Sequence, residues 1–278
     1  MMFSLQITTL VENHSNRDDL VAEHGLSFWI EADEFRFLFD TGTTRAFLNN
    51  AERLGISLAD AEAVVLSHGH YDHTGGLAFL TDALTPRRLY LGPSGECERW
   101  SQKTQPPHGF AGMPAASKTL LAQLGDRVFR TTSVTMLGED IGITGPIPRV
   151  TDFEDVGGRF FLDAECTVPD TLPDDQAVWV KTPNGVVVLF GCAHAGTVNT
   201  LLHLENVLGV KSVYAVVGGL HLRNASDERI NRTAEALNRF GVQRLIVGHC
   251  TGKHAFKQLA ESFQGKAEEL SSGLMMSF

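Results

Sequence analysis

The stretch Ser67-His68-Gly69-His70-Tyr71-Asp72-His73 decides how the rest of the chain is read. It places four metal-ligand side chains, His68, His70, Asp72 and His73, within six residues. Neutral imidazoles with one carboxylate suit borderline divalent metals such as zinc. The preceding run Ala63–Leu66 is apolar and reads as a short buried strand. His68 and His70 can then project to one side of an extended segment. Asp72 and His73 fall in the turn that follows, where they can face a second ion. A solvated loop that happens to be rich in histidine is the bland alternative, and four ligand types at this spacing after a buried strand argue against it.

A metal site needs ligands from elsewhere, and three later histidines share one context. His194 follows the run Val186–Phe190 in Gly191-Cys192-Ala193-His194, His221 follows Ser212–Val217 in Gly218-Gly219-Leu220-His221, and His249 follows Arg244–Val247 in Gly248-His249. Each is an apolar strand running into glycine and then histidine. Ligands at the ends of adjacent strands converge on one rim of a sheet, where open α/β sites lie. His24, before Gly25, could line the same site, whereas His14, His108, His203 and His254 have weaker contexts.

Around these motifs, Phe3–Leu10, Leu26–Glu31 and Phe35–Phe39 read as strands, and Thr43–Leu54 and Gly75–Leu84 have helical spacing. Arg88–Leu91, Val128–Met136 and Arg159–Leu162 read as further strands. Residues 92–118 are rich in Gly, Pro and Ser, and form either a lid or a disordered insertion. Ala177–Lys181 and Val186–Phe190 flank Pro183-Asn184-Gly185, a hairpin signal. Helices follow over Thr197–Leu208, Asp227–Phe240 and Gly252–Phe263. Strands first, then alternating strand and helix, in both halves, predict one α/β domain over 1–278: two sheets face to face with helices outside, a four-layer αββα sandwich.

Composition excludes some partners. Among 278 residues, 43% are hydrophobic and the formal net charge is −10. An acidic chain without a basic patch does not attract a polyphosphate backbone, so nucleic acid is not expected. No apolar run approaches a membrane span. Four cysteines, none in a C-x-x-C pair, and a first segment without a basic start or apolar stretch point to the cytoplasm. A homo-oligomer is left open.

The pattern His68-x-His70-x-Asp72-His73, the strand end Leu38-Phe39-Asp40-Thr41-Gly42 and the later strand-end histidines resemble the metallo-β-lactamase superfamily. Thr9-Leu10-Val11-Glu12-Asn13, Glu23-His24-Gly25-Leu26-Ser27, Gly191-Cys192-Ala193-His194-Ala195-Gly196, Gly218-Gly219-Leu220-His221-Leu222 and His249-Cys250-Thr251-Gly252 narrow the likeness to a subgroup. That subgroup is named after 7,8-dihydropterin-6-methyl-4-(β-D-ribofuranosyl)-aminobenzene-5′-phosphate synthase. The resemblance spans nearly the whole chain and is weakest in the middle loop.

The resemblance implies that His68, His70 and His194 hold one divalent ion and that Asp72, His73 and His249 hold a second. Zinc is the first choice, with manganese or iron as alternatives. Many hydrolases of the superfamily have an aspartate bridging both ions; Cys192 stands in roughly that place. Their usual Gly-His ligand has no clear counterpart, and Asp174-Asp175-Gln176 lies nearest. Cys192, Asp175 and Asp40 are therefore candidate ligands or supports of ligands. Asp72 and His221 are the candidate catalytic groups, and His221, Lys253, Thr251 and His24 the candidate substrate contacts. Helices expected to begin just after His73, His194 and His249 would turn their free N–H groups toward the ions and favour an anionic small molecule. A hydrolase acting on a phosphate ester is the leading expectation. A transferase joining a dihydropterin diphosphate to an aminobenzene ribofuranosyl phosphate is the second. A non-catalytic metal-dependent binding module is the third.

Overall fold

The computed structural model of the protein describes residues 3–80, 84 and 86–278. In chain order the elements are β1 (Leu5–Val11), β2 (Ser27–Ala32), β3 (Phe35–Phe39), α1 (Ala46–Arg53), β4 (Ala63–Val65), α2 (Tyr71–Thr74) and β5 (Arg88–Leu91). There follow β6 (Trp100–Ser101), β7 (Gly109–Phe110), α3 (Ala115–Leu124), β8 (Val128–Arg130), β9 (Thr135–Met136), β10 (Ile141–Ile143) and β11 (Phe160–Phe161). The last third holds β12 (Val178–Thr182), β13 (Gly185–Phe190), α4 (Thr197–Leu208), β14 (Val213–Gly219), α5 (Asp227–Arg239), β15 (Arg244–Gly248), α6 (Lys253–Ser262), β16 (Lys266–Glu269) and β17 (Met275–Ser277).

Two seven-stranded sheets form, in the orders β17-β1-β2-β3-β4-β5-β8 and β16-β15-β14-β13-β12-β10-β9. β3, β4, β5 and β8 run parallel, as do β13, β14, β15 and β16. The near-continuous apolar runs of the strands follow from burial on both faces. In β3, Phe37 and Phe39 enter the core between the sheets while Leu38 enters the core under α1 and α3. In β12, Val178 and Val180 face the other sheet while Trp179 packs toward α4 and α5. Each large side chain so buried contributes roughly 1.5–3 kcal/mol. Three apolar layers of contact between four structural layers are the αββα sandwich.

Several elements differ from expectation. The helix predicted over Gly75–Leu84 is a 3-10 stretch over Gly75–Phe79, two glycines being poor helix formers; the rest of that prediction reaches residues outside those described. The strand predicted over Val128–Met136 is two strands, β8 on the edge of one sheet and β9 on the edge of the other, so the chain crosses between the sheets there. β10, β16, β17 and α3 were not anticipated. The strands among them are three or four residues long, too short for a clear period. The 92–118 segment is not an unstructured insertion. It contributes β6 and β7 to a small sheet with β11, ordered β11-β6-β7, and the start of α3.

Candidate metal centre

The carboxyl ends of β3, β4, β13, β14 and β15 meet on one rim, carrying Asp40, the His68–His73 motif, Cys192 with His194, His221, and His249. Four non-glycine residues at these strand ends have left-handed backbone: Asp40 at φ 62°, Ala193 at 54°, His221 at 46° and His249 at 53°. Such conformations cost on the order of 1 kcal/mol or more each and persist where surrounding structure over-determines them. The strain turns each chain sharply off its strand, so that Asp40, His221 and His249 present their own side chains at the rim and Ala193 presents His194 after it.

One cluster is built on charge. Asp72 Oδ2 lies 3.3 Å from His249 Nε2, 3.7 Å from His73 Nε2 and 3.2 Å from His24 Nε2. His73 Nε2 is 3.2 Å from His249 Nε2 and 3.2 Å from Cys192 Sγ. Behind the ring, His73 Nδ1 meets Asp40 Oδ2 at 2.7 Å, and Asp40 also receives the backbone N–H and hydroxyl of Ser67. Burial opposes a charge on His73, but Asp40 and Asp72 outweigh it and raise its pKa to about 9. Burial likewise works to raise the Asp72 carboxyl, yet His73 and His249 hold it well below the usual carboxylate range.

The other cluster is built on neutral rings. His68 Nε2 lies 3.0 Å from His70 Nδ1, and the rings of His68 and His194 are 4.7 Å apart. Burial first pushes all three well below the ordinary histidine value; neighbouring imidazoles add to it for His68 and His194, and for His70 Asp72 pulls the other way against Arg99 and the imidazoles. His70 Nε2 and His194 Nε2 are buried with no hydrogen-bond partner among the described residues. An unpaired buried nitrogen is costly unless something binds it.

The hydrogen bonds fix which nitrogen is free. His194 Nδ1 meets the carbonyl of Val156 at 2.7 Å, so Nδ1 carries the proton and Nε2 the lone pair. Asn13 donates its Nδ2 to the carbonyl of His249, which leaves its Oδ1 to accept from His249 Nδ1 at 3.0 Å. Backs held by hydrogen bonds and fronts presenting lone pairs are what metal-binding imidazoles require. Two ligand-type groups, His68–Cys192–His194 and His73–Cys192–His249, have all their donor atoms within 4.8 Å and share one thiol. The residues present fit divalent ions.

Supports come from far along the chain. Buried Arg99 pairs with Asp170 and Asp174, and Asp174 Oδ2 accepts the N–H of Gly69 between His68 and His70 at 2.8 Å. Gly69 is required there, because a Cβ would run into Arg99 and the carbonyl of Gly95. Glu12 accepts the His249 N–H at 2.5 Å. Asp175 accepts the Ala195 N–H at 2.6 Å and joins none of the ligand groups found among the described residues. Burial raises its pKa to about 7.

Beside the histidines lies a cavity of ≈ 380 Å³. His24, His70, Asp72, Cys192, His194, His221 and His249 reach it, together with Lys103, Phe110, Phe160 and Arg223. The Phe160 ring lies tilted against His70 at 4.6 Å and edge-on to His194 at 5.3 Å. Thr251 and Lys253 are not among its walls; they line a separate cavity of ≈ 690 Å³ behind His249, and the Thr251 hydroxyl accepts the N–H of Leu220.

The expected helix starts differ as well. α2 begins at Tyr71, before Asp72 and His73, and is four residues long. The first free N–H groups of α4, on Val198 and Asn199, are taken by the Glu154 carboxylate at 2.9 and 2.8 Å. α6 starts at Lys253, on the separate cavity. The dipole argument for an anionic ligand therefore fails, and two cations missed in the sequence, Lys103 and Arg223, stand on the cavity wall instead.

The sequence profile of the metallo-beta-lactamase superfamily matches residues 20–249. The chain belongs to that superfamily. It is 31% identical to a protein of Methanocaldococcus jannaschii named 7,8-dihydropterin-6-methyl-4-(beta-D-ribofuranosyl)-aminobenzene-5'-phosphate synthase, over 99% of this chain and 97% of the relative. The solved structure of Tm1679, a metal-dependent hydrolase of the beta-lactamase superfamily, superposes with a TM-score of 0.83 at 31% identity, covering 98% of each chain. A diphosphatase from the PhnP family, at 15% identity and a TM-score of 0.58 over 100% of this chain and 98% of that one, shares the fold. No helix among the described residues is long and apolar enough to cross a membrane.

Within that superfamily frame, the sequence motif supplies His68 and His73 to the groups that share the thiol, Asp72 to a further group with His24 and His249, and His70 to none of them, while the parts that hold these side chains came unannounced. Arg99 has no local signature in a Gly- and Pro-rich stretch. Glu12 and Asn13 sit inside a quoted segment, but nothing in it says that they reach His249.

Proposed function

We propose that the chain is a metal-dependent hydrolase with a dinuclear site, acting on a phosphate ester or a related anionic small molecule. The observation that carries this reading is the single thiol of Cys192 common to two ligand groups at the floor of one cavity. His68, His70 and His194 with Cys192 would hold one ion, and Asp72, His73 and His249 with the same thiol the other. Zinc suits thiolate and imidazole best, with manganese or iron accepted by the nitrogen and oxygen donors. Bound there, divalent ions would make water a stronger acid near neutrality and offset negative charge on a substrate oxygen.

The chain's own groups divide the remaining work. Asp72, held ionised by its histidine neighbours, accepts a hydrogen bond from the attacking water and sets its direction. His221, with Nδ1 buried and unpartnered among the described residues, stands 4.3 Å from the His194 ring and can hold a substrate oxygen. His24, stacked on His249 at 5.3 Å, supports the mouth. Lys103 and Arg223 supply the positive charge that an anionic substrate needs, and Phe110 and Phe160 give it an apolar face.

A transferase that joins a dihydropterin diphosphate to an aminobenzene ribofuranosyl phosphate is favoured by one observation, the name of the 31%-identical archaeal relative. The test is product analysis on metal-assayed protein. It would be given phosphomonoesters and phosphodiesters, and separately a dihydropterin diphosphate with and without the aryl acceptor. Ester hydrolysis lost on chelation supports the hydrolase. A coupled product seen only with the acceptor replaces it by the transferase. Binding of phosphate esters without turnover in any of these assays would leave a binding module and sink both.

A further inference from the structure

Cys192 belongs to a third group besides the two already described. Cys192, His221 and Cys250 offer donor atoms that again lie within 4.8 Å of one another. The three are at most partly exposed, and both thiols are buried. The Cys250 thiol receives the backbone N–H of His221 at 3.2 Å and points to the Cys192 carbonyl at 3.8 Å, which brings it to the shared thiol's side of the rim. His221 is held at φ 46° and its Nδ1 is buried with no partner among the described residues. The donor chemistry differs from that of the other groups. Two sulfurs and one imidazole form a soft set, whereas the others hold one sulfur among imidazoles, with the Asp72 carboxylate alongside. Soft donors select thiophilic ions such as zinc or cadmium and discriminate against manganese and magnesium.

We propose that Cys192, His221 and Cys250 form a third, thiol-rich metal position that takes a thiophilic divalent ion. Because one sulfur serves all three groups, an ion seated there draws Cys192 away from the dinuclear pair and occupies the imidazole assigned above to the substrate. Excess zinc or cadmium then acts as an inhibitor through this position, while manganese in excess does not. Binding releases the thiol protons to solvent and involves no oxidation. The inference requires that the chain bind metal but not that it hydrolyse anything, so its test reads metal content and sulfur coordination and not turnover.

Metal-free protein is titrated with Cd2+ and, in parallel, Mn2+. Bound metal is counted after removal of free ion, and sulfur-to-cadmium charge transfer is followed in the near ultraviolet. The unsubstituted protein should bind about one more Cd2+ per chain than Cys250→Ala, and should show the larger charge-transfer band, with no such difference for Mn2+. His221→Ala, at a partly exposed position, should weaken uptake of that last Cd2+ while keeping the band from both thiolates partly intact. It also serves as the reporter if Cys250→Ala does not fold by circular dichroism. Equal Cd2+ stoichiometry and equal absorption in the unsubstituted protein and the folded variants would overturn the proposal.

Discussion

The two halves of the rim gather the same kind of side chain by opposite electrostatics. His68, His70 and His194 are buried without a carboxylate at their backs and kept neutral, Asp72 pulling on His70 too weakly to charge it, and His70 and His194 each keep a buried nitrogen without a partner among the described residues. His73 is just as buried, yet Asp40 behind it and Asp72 beside it raise its pKa to about 9. One half is a preformed set of neutral donors, the other a charge-balanced set that holds a proton until something displaces it. Burial alone therefore does not decide the protonation of an imidazole; the presence of a carboxylate at its back does.

The widest gap between the halves should open when the charged half is removed. Asp72→Ala combined with His73→Ala takes away a carboxylate and an imidazole on the same side, so metal content should fall by about half, the neutral half keeping its ion, and ester turnover by more than about 100-fold. Metal analysis of the purified variant by mass spectrometry checks this. Retention of the full metal content would mean that these residues are not ligands.

Asp40→Asn is a finer cut, because it leaves every proposed ligand in place. The amide can still meet His73 Nδ1 but no longer balances its charge. Metal affinity of that half should fall by about 10- to 100-fold, with the neutral half unchanged. Competition against a chromogenic chelator would resolve two phases, and the comparison predicts that only one of them shifts.

The motif and the strand-end histidines were legible in the sequence because ligand chemistry is residue-specific and its spacing is local. The sandwich was legible because strands buried on two faces leave unbroken apolar runs. What was hidden depends on contacts across the fold. Arg99 reaches Asp174 across 75 residues, and Glu154 caps α4 from 44 residues away. The α4 cap shows the mechanism of the error. Gly196 before a helix looks like an open N-terminus when read locally, and only the folded chain brings a carboxylate onto it. The same reasoning placed Lys253 near the histidines, because adjacency to His249 in sequence says nothing about which side of that ring a neighbour occupies.

The halves should also oppose each other in their response to pH when metal is removed. His73 has a folded value of about 9 against an ordinary 6.5, so its contribution to stability is fully present below about 6.5 and is lost as pH rises through 9. The three neutral imidazoles have depressed folded values, so unfolding lets them take up protons and they destabilise the fold as pH falls below their ordinary 6.5. Metal-free protein should thus melt at its highest temperature near the crossover, with a decline on the alkaline side that Asp40→Asn flattens. Thermal unfolding across this range, followed by circular dichroism, gives the slope. A rise in stability from 6.5 to 9 in metal-free protein would contradict the charge assigned to His73.

The smallest effect belongs to the cavity wall, where the two halves share one substrate. Lys103 is exposed and lies on the segment between β6 and β7, so Lys103→Gln should leave folding and metal content unchanged. An exposed cation in water is worth at most about 1 kcal/mol to an anionic ligand, which corresponds to a rise in KM of about five-fold or less with kcat nearly constant. The effect should shrink further as salt is added, because screening acts on exposed charges and not on buried ligands. Steady-state kinetics on an anionic ester and on a neutral one of similar shape would separate the cases. The change in KM should appear with the anion alone, and an equal change for both esters would assign Lys103 to shaping the cavity and remove charge from its role.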